Sequence, residues 1–482
     1  MPYRFRWVFC QLDALRQCLP SSLRRTLAEL PESLDETYER IVMDIKKGNR
    51  ADAYRMLQCL AVAIRPLSVA ELAELLAFDF DAATKGGIPK LNSKWRWEDH
   101  EQAVLSTCSS LITIIPASYG PPVVQFSHFS VKEFLMSDRL VTSTTIDISQ
   151  YHIVVEYANT LIAKSCLSVL LRDPVDKSDT SIAPLARYAA EHWVTHARVE
   201  NVASRVRAGM ESLFDPDQPY FSAWVELYNV DRRYWGPDLH SKIQPGAAPL
   251  YRAAFCGFHE IVEYLALKHP QYANAISGGA GTALHSASRE GHVEVVRSLL
   301  KCGVDVDTVG YAGWSPLQLA SFTGYLDVAQ CLLDHGADPN FQDDIHRTTL
   351  SLAAVEGYLE IVRMLVERSA DIDTQDKDGW TPLHRVISLY YYNSNDNLPQ
   401  VIRFLLEHGA NSNTRDHTRR TPLHTVSSSD MESSFQLEIA RILLAHGADV
   451  DAEDEEGITP LQVALAEERG ELVKLLSEYC SK

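Results

Sequence analysis

The chain has 482 residues, of which 46% are hydrophobic and 23% are charged, and these proportions exclude a mostly disordered or collagen-like chain. No apolar run approaches the ~18–20 residues that a membrane-spanning helix needs, and the nine cysteines form no C-x-x-C pair, so we expect a reduced, cytoplasmic protein with no membrane segment. The net charge of −19 is uneven: residues 1–247 hold 27 basic and 30 acidic residues, whereas residues 248–482 hold 18 and 34, which argues against nucleic-acid binding by the second half.

Residues 1–50 are predicted to form a helical segment. The first helix is expected from about Arg4 to Cys18. A second helix follows, because apolar side chains recur there at the spacing of one helical face. Those side chains are Leu34, Tyr38, Ile41, Val42 and Ile45.

Residues 51–145 are predicted to form a winged-helix domain. A helix is expected over residues 51–64, and Ser68 with Glu71 has the spacing of a capping box at the start of the next helix. Two β-rich runs, residues 111–115 and 123–126, flank a Ser-Tyr-Gly-Pro-Pro turn and predict a hairpin, the wing.

A winged-helix domain raises the possibility of DNA binding. The loop before the hairpin is locally basic, but the whole first half is close to neutral, and recognition helices usually lie on a clearly basic face. We therefore expect no nucleic-acid partner. The basic residues of this loop are Lys85, Lys90, Lys94 and Arg96.

Four motifs in the first half resemble the C-terminal part of NACHT-type signalling NTPases, most closely the fungal NACHT–ankyrin proteins. In that family the winged-helix histidine of F-x-H-x-S contacts the bound ADP, and His128 is the matching residue. The motifs are Phe5-Arg-Trp-Val-Phe-Cys-Gln-Leu-Asp, Leu30-Pro-Glu-Ser-Leu-Asp-Glu-Thr-Tyr-Glu-Arg-Ile, Arg65-Pro-Leu-Ser-Val-Ala-Glu-Leu and Phe126-Ser-His-Phe-Ser-Val-Lys-Glu-Phe-Leu.

The sequence departs from this family at the nucleotide site. The phosphate loop G-x-x-x-x-G-K-[ST] does not occur in these 482 residues, so neither its backbone N–H groups nor its lysine is present to hold a phosphate. The resemblance therefore implies a C-terminal portion of such a protein without the NTPase core. We expect no bound cofactor, and we interpret His128 as structural or vestigial.

Residues 146–245 are predicted to be a helical connector. His192 and His196 lie four residues apart on one helix face, a spacing that zinc sites use. Trp193 stands where H-E-x-x-H has its glutamate, and no third ligand is evident. A histidine with a structural role is therefore the preferred interpretation, and no metal is expected.

Residues 246–482 contain an internal repeat. A tetrapeptide of type T-P-L-H recurs at intervals of 34, 33, 33, 33, 40 and 38 residues, and each copy continues with a glycine step and an I-V-x-x-L-L type helix. Threonine and proline are typical of a helix start, and glycine of a helix end. The copies begin at Ala248, Thr282, Ser315, Thr348, Thr381, Thr421 and Thr459.

This pattern closely resembles the ankyrin repeat and implies an α-solenoid of about seven units. The fifth and sixth copies carry extra residues, predicted to lie between the two helices of the unit, and the last copy ends in a polar cap. The fold class is thus mainly α: a helical segment and a winged-helix domain with a small β-wing, a helical connector and the solenoid.

Two sets of repeat residues resemble metal ligands. The histidines at the fourth tetrapeptide position, His285, His384 and His424, are interpreted as ties between neighbouring turns. The second set, Asp371, Asp373, Asp376 and Asp378, lacks the glycine and glutamate of a calcium loop, so solvated turn caps are favoured.

The sequence favours a non-catalytic protein-interaction scaffold that uses the concave face of the solenoid. The acidic finger loops, which join consecutive units, favour a partner with a basic patch. The alternative is part of a NACHT-type signalling switch, of the innate-immunity or heterokaryon-incompatibility kind, whose nucleotide-binding core is missing from this chain. Aromatic and arginine side chains most often anchor interfaces, and the candidates are Arg289, Tyr311, Trp314, Phe322, Arg347, Trp380, Arg419 and Arg420.

Overall fold

A computed structural model describes residues 33–80, 87–108, 110–117, 120–141, 146–172, 184–228, 248–277, 281–388, 397–429 and 433–480. The chain divides into two compact units, Met1–Val230 and Asp231–Lys482, which are described separately. The helix predicted over Arg4–Cys18 lies outside the described residues, and so does Lys85.

The described part of the first unit is mainly helical. Six helices, α1 to α6, span Leu34–Met43, Arg50–Val62, Val69–Glu74, His100–Cys108, Phe129–Leu135 and Ile146–Ser149. Four further helices, α7 to α10, span Val155–Leu170, Ala186–Ala197, Val202–Phe214 and Tyr220–Leu227. Helix α7 is the centre of the second group, because it packs against α2, α8 and α9.

The predicted hairpin is present and belongs to a three-stranded sheet. Strand β4 pairs with β5 antiparallel, and β1 joins the other edge of β5, giving the order β1-β5-β4. The basic loop contains a second small ribbon, in which β2 pairs with β3. The strands are β1 Leu67–Ser68, β2 Phe78–Asp79, β3 Lys90–Leu91, β4 Ile112–Ile115 and β5 Val123–Phe126.

Hydrogen bonds between side chains and backbone fix the helix starts of the winged-helix domain. The predicted capping box is formed: Glu71 N–H donates to Ser68 Oγ at 3.2 Å, and Ser68 N–H donates to Glu71 Oε2 at 2.7 Å. The buried Tyr38 of α1 shares a 2.7 Å hydrogen bond with Ser130 at the start of α5. The bond between Tyr38 and Ser130 thus joins α1 to the start of α5.

The described part of the second unit consists of seven successive helix pairs. The first helices of the pairs span Ala248–Phe255 (α11), Ala283–Arg289 (α13), Pro316–Thr323 (α15), Thr349–Val355 (α17), Pro382–Ser388 (α19), Pro422–Ser428 (α21) and Pro460–Ala466 (α23). The second helices span His259–Lys268 (α12), Val293–Lys301 (α14), Leu326–Asp334 (α16), Leu359–Glu367 (α18), Leu398–Glu407 (α20), Ser433–Ala445 (α22) and Gly470–Cys480 (α24). Each pair packs on the next, so the predicted solenoid is confirmed.

The predicted helix signals act as expected at both ends of the first helices. Ser315 and Thr459 each form a capping box with the glutamine three residues later. Gly324 ends α15 with φ +84°, and a Cβ there would lie 2.6 Å from the ring of Tyr358 in the next unit. Glycine is therefore needed at Gly324 both for its backbone angle and for the close approach of the following unit.

The extra residues of the fifth unit lie between its two helices, as predicted. Helix α19 ends at Ser388 and α20 begins at Leu398, while residues 389–396 lie outside the described set. In the sixth unit the corresponding interval is short, because α22 begins at Ser433 and is 13 residues long. Part of that insertion therefore extends the second helix.

Candidate functional site

The four finger loops that precede the fourth to seventh units are each organised by an aspartate five residues before the threonine of the tetrapeptide. The Oδ1 atom of Asp376 accepts the backbone N–H groups of Asp378 and Trp380 at 2.9 and 3.0 Å. Asp343, Asp416 and Asp454 cap their loops in the same way. Three of these aspartates, Asp343, Asp376 and Asp454, are buried, so these caps are shielded from solvent.

The second carboxylate oxygen of each capping aspartate accepts a hydrogen bond from an arginine or a tryptophan side chain. Asp343 Oδ2 accepts Arg347 Nε at 2.7 Å, and Asp454 Oδ2 accepts Arg420 Nε at 3.3 Å. The indole N–H of Trp380 donates to Asp416 Oδ2 at 3.3 Å. These hydrogen bonds fix the side chains of three predicted contact residues, Arg347, Trp380 and Arg420. Fixing them reduces the conformational entropy that they would lose on binding.

Histidines at the fourth tetrapeptide position connect the second, fifth and sixth units to the next finger. The Nε2 atom of His285 bonds to the carbonyl of Trp314 at 2.9 Å, and the corresponding distances are 3.3 Å for His384 and 3.0 Å for His424. Gln318 replaces histidine in the third unit and donates to the carbonyl of Arg347 at 2.9 Å. Burial lowers the pKa of His285 to about 4, so this imidazole is neutral and both of its nitrogens serve the fold.

The aspartates that resemble a calcium loop bond to the protein itself. Asp371 Oδ1 accepts the backbone N–H of Asp373 at 3.1 Å, and Asp373 in turn accepts the N–H of Asn411 in the next unit. Asp378 accepts Arg385 at 3.3 Å. Asp376, buried as a loop cap, departs from the solvated turn cap that was expected.

Three predicted contact residues form one cluster. The rings of Trp314 and Phe322 meet edge to face with centroids 5.2 Å apart, and the guanidinium of Arg347 lies 5.2 Å from the centre of the Trp314 ring. Tyr311 lies three residues before Trp314 and is 52% exposed. The structure thus brings together side chains from two consecutive fingers and from helix α15.

Trp380 occupies the same repeat position as Trp314 but is more strongly constrained. The guanidinium of Arg385 lies 5.2 Å from the centre of its ring, and Arg385 also donates to Asp376 at 2.5 Å. Arg385 was not among the predicted contact residues. The signal that could have found it is its position four residues after the tetrapeptide threonine, which places it on the first-helix face above the finger.

Trp380 and Arg420 line a groove of about 540 Å³ between the fifth and sixth units. Loop residues of mixed charge form one side of the groove. Hydroxyl groups of α19, of α21 and of Ser429, which follows α21, form the other side. Its lining residues are Lys377, Asp378, Trp380, Ser388, Asp416, His417, Thr418, Arg420, Thr425, Ser428 and Ser429.

The remaining two predicted contact residues, Arg289 and Arg419, belong neither to the cluster around Trp314 nor to the groove. Arg289 lies at the end of α13, half-buried, with its Nε 3.9 Å from a carboxylate oxygen of Glu290. Arg419 is exposed and has φ +62°, at the loop position where Gly313, Gly379 and Gly457 stand in other units. An arginine at this left-handed position is strained.

His128 caps the helix that follows the wing. Its Nδ1 accepts the backbone N–H of Ser130 at 3.2 Å and lies 2.6 Å from the Ser130 hydroxyl. The imidazole packs against the half-exposed ring of Phe129. In this structure His128 therefore contributes to the start of α5.

His192 and His196 do not form a common site. His196 is fully buried, with Nδ1 2.7 Å from Asn159 Oδ1 and Nε2 2.8 Å from the hydroxyl of Tyr188. Burial lowers its pKa to about 4. His192 is half-buried beside Glu191, with 3.6 Å between its Nε2 and Glu191 Oε2.

The basic loop of the winged-helix domain does not leave Arg96 available for a phosphate. Its guanidinium forms a 2.6 Å ion pair with Glu74, whose side chain is buried. Glu74 also accepts the backbone N–H of Leu185 at 2.8 Å. Arg96 is thus a structural link between the loop, α3 and the start of α8.

Comparisons with protein families find both predicted domain types. Residues 250–343, 341–416 and 389–482 match the family described as ankyrin repeats (3 copies). Residues 38–147 match the winged helix domain of GPI inositol-deacylase. The chain therefore carries a winged helix domain followed in sequence by ankyrin repeats. No helix in the described ranges has the length and apolar character required to cross a bilayer.

Two curated proteins resemble parts of the chain. Azaphilone pigments biosynthesis cluster protein L of Monascus ruber is 31% identical over 298 residues, which are 58% of this chain and 61% of that protein. Alpha-latrocrustotoxin-Lt1a of Latrodectus tredecimguttatus is 33% identical over 84 residues, 17% of this chain and 6% of the toxin. The chain thus spans less than two thirds of the length of either relative.

Solved structures of ankyrin repeat domains also match. The Bcl-3 domain is 27% identical with a TM-score of 0.41, covering 47% of this chain and 97% of that one. The human ASB11 domain is 25% identical with a TM-score of 0.38, covering 45% and 91%. A domain from Acinetobacter baumannii is 30% identical with a TM-score of 0.37, covering 42% and 98%.

Proposed function

We propose that this chain is a non-catalytic, cytoplasmic interaction scaffold whose ankyrin repeats bind a protein partner through their concave face. The observation that carries the proposal is the set of finger loops braced by the capping aspartates Asp343, Asp376, Asp416 and Asp454. Each of them accepts a hydrogen bond from an arginine or a tryptophan side chain of a finger loop or of the helix that follows it. Such preorganised aromatic and arginine side chains are the usual anchors of protein interfaces.

The proposed partner carries a basic patch. The solenoid half has 34 acidic against 18 basic residues, and the last finger exposes Glu453, Glu455 and Glu456. Complementary charge of this kind raises the association rate and rejects acidic competitors.

A photo-crosslinking experiment tests the scaffold function on the full chain. We place p-benzoylphenylalanine at Tyr311 on the concave face or, as the control, at the exposed Lys301 at the end of a second helix. A protein captured only from Tyr311 is then purified and titrated calorimetrically. Tyr311→Ala with Phe322→Ala is expected to weaken its binding at least tenfold, and Lys301→Ala to leave it unchanged. Equal capture from both positions contradicts the proposal.

A second candidate function is favoured by the winged helix match over residues 38–147. In this proposal the chain is part of a NACHT-type signalling switch that works with a nucleotide-binding core on the same or another polypeptide. The match of His128 to the histidine that contacts ADP in the NACHT-type family supports it, and in this structure His128 caps the start of α5. Calorimetry with ADP tests the chain alone and with that core: His128→Ala weakening ADP binding to the pair supports the switch, and an unchanged affinity excludes it.

A further inference from the structure

The cluster around Trp314 has one feature that the scaffold function does not explain. Asp344 lies on the fingertip next to Arg347, and its side chain is exposed. Within the described ranges its carboxylate has no hydrogen bond and no ion pair. The neighbouring Asp343 is buried and paired with Arg347, whereas Asp344 carries a charge with no ion-pair partner among the described residues.

The position of Asp344 is fixed by the preceding finger. Its backbone N–H donates to the carbonyl of Ala312 at 3.2 Å. A Cβ built on Gly313 would lie 2.5 Å from both the backbone nitrogen and the Oδ1 atom of Asp344. The carboxylate therefore lies directly against the segment that carries Tyr311 and Trp314.

That aromatic segment is itself rigid. Gly310 N–H donates to the carbonyl of Trp314 at 2.8 Å, and Trp314 N–H donates to the carbonyl of Tyr311 at 3.2 Å. The carbonyl of Trp314 also accepts the imidazole of His285. The ring of Phe322 then supports the ring of Trp314 from helix α15. The residues Tyr311, Trp314, Phe322 and Asp344 are called the recess below, and these contacts hold the backbone of its aromatic segment.

The charge of the recess is negative. Arg347 covers one side of the Trp314 ring, but its charge is balanced by Asp343, whose side chain is fully buried. The carboxylate of Asp344 remains uncompensated. Tyr311 and Phe322 are 52% and 39% exposed, and the faces of aromatic rings attract cations. Exposed rings beside a free carboxylate fit a cationic group better than an apolar or an acidic one.

We infer that this recess binds a lysine or arginine side chain of the protein partner. The cation lies against the exposed rings of Tyr311 and Phe322 and forms an ion pair with Asp344, while the alkyl stem packs along the rings. The inference rests on the proposed scaffold function and specifies where the basic patch of the partner is read. It assigns the selection of the basic side chain to the junction of the third and fourth units.

A fluorine NMR titration tests the recess without knowledge of the partner. The full chain is labelled with 5-fluorotryptophan, and the resonance of Trp314 is assigned as the one lost in Trp314→Phe; that of Trp380, assigned likewise, is the internal control. The probe is N-acetyl-lysine methylamide, and its uncharged counterpart is N-acetylnorleucine methylamide. We expect a saturable shift of the Trp314 resonance with the lysine probe and none at Trp380.

The charge requirement is tested with two variants of equal charge. Asp344→Asn is expected to weaken the lysine probe about threefold, the order expected for one exposed ion pair. Asp327→Asn removes an exposed carboxylate from the second helix of the same unit and is expected to change nothing. The inference is overturned if norleucine shifts the Trp314 resonance as much as lysine does, if the two variants behave alike, or if the resonance does not move.

Peptide selection on the immobilised full chain separates this inference from the scaffold function. Both hypotheses are supported if the selected peptides require Tyr311 and Phe322 and share a lysine or arginine at one position. That preference for a basic residue should disappear when the selection is repeated on Asp344→Asn. If the selected peptides require the concave face but share no basic residue, the scaffold function stands and the recess inference fails. If no selected peptide depends on the concave face, the scaffold function itself fails.

Discussion

The two units use the same device, a buried neutral imidazole bonded at both nitrogens, in opposite ways. In the first unit His196 connects Asn159, 37 residues away, to Tyr188, which also accepts the backbone N–H of Ile64. In the repeat unit His285 bonds to Thr282 three residues before it and to Trp314 in the next finger. The first network joins residues that are far apart in sequence, whereas the second recurs after the second, fifth and sixth units from the same local spacing. The first unit therefore depends on a network specific to its own core, whereas the repeats use a hydrogen bond that different units can form with different side chains.

Glutamine substitution tests this difference directly and has the largest expected effect. Gln318 already performs the role of His285 in another unit, with Oε1 accepting Ser315 N–H at 2.9 Å, so His285→Gln is expected to cost less than about 1 kcal/mol. In the first unit a glutamine cannot reach both Asn159 and Tyr188, and a buried partner left unsatisfied costs ~1–3 kcal/mol in addition to the lost packing. We therefore expect His196→Gln to cost about 3 kcal/mol.

Amide hydrogen exchange followed by mass spectrometry measures the two effects in the full chain, because peptides report on each unit separately. Exchange should accelerate across α7 and α8 in His196→Gln, and hardly at all in the repeats of His285→Gln. Equal losses in both variants would show that the repeat histidine is as irreplaceable as the core histidine.

Acid should weaken both units for the same reason. The pKa values of His196 and His285 are about 4 in the folded chain, against about 6.5 when the residues are exposed. Between these two pKa values the unfolded chain binds more protons than the folded chain. The contribution of each histidine to the free energy of unfolding is therefore fully present above pH 6.5 and decreases by about 3 kcal/mol as the pH falls toward 4.

Urea denaturation at pH 7.0, 5.5 and 4.5 checks this dependence. In His285→Gln the repeat unit should lose part of its pH dependence while the first unit keeps its own. An unchanged pH profile of the repeat unit in that variant would mean that His285 does not remain neutral when folded.

The same contrast explains what could be predicted from the sequence. The repeat spacing, the capping residues and the glycine steps predicted the seven helix pairs, because each signal acts within a few residues. The hairpin of β4 and β5 was also local. Strand β1 was not predicted, since a pairing of Leu67 with Val124 depends on a long-range contact.

The candidate site was predicted less completely than the fold. Tryptophan and arginine residues on the fingers could be named from the sequence, but their partners could not. The ion pair of Arg347 with Asp343 and the stacking of Arg385 on Trp380 depend on side-chain directions in folded loops. The unpaired state of Asp344 follows only from the structure, because Asp343 beside it has the same side chain and is fully used.

The junction after the fourth unit lacks the hydrogen bond to the next finger, and restoring it should stabilise the protein. The fourth unit has Ser351 where five of the other units have histidine or glutamine, and its hydroxyl donates to the carbonyl of Thr348 at 2.9 Å. Ser351→Gln should restore the bond to the next finger, toward the carbonyl of Trp380. One net hydrogen bond contributes ~0.5–1.5 kcal/mol, so we expect an increase of about 1 kcal/mol. Slower exchange at the fourth and fifth units measures it, and faster exchange would mean that the site is too small for glutamine.

The smallest expected effect concerns the backbone of the sixth finger. Arg419 has φ +62°, whereas Gly313, Gly379 and Gly457 occupy this position in other units with φ between +75° and +79°. Because glycine adopts this angle without strain, Arg419→Gly should gain about 0.5–1 kcal/mol from the relieved strain, partly offset by the greater flexibility of the unfolded chain. Asn201 is a matched case in the first unit, with φ 61° at the start of α9, and Asn201→Gly controls for the general effect. If Arg419→Gly is neutral in urea denaturation but weakens partner binding, the strained arginine is retained for the interface. If it stabilises the chain and leaves binding unchanged, Arg419 is not a contact residue.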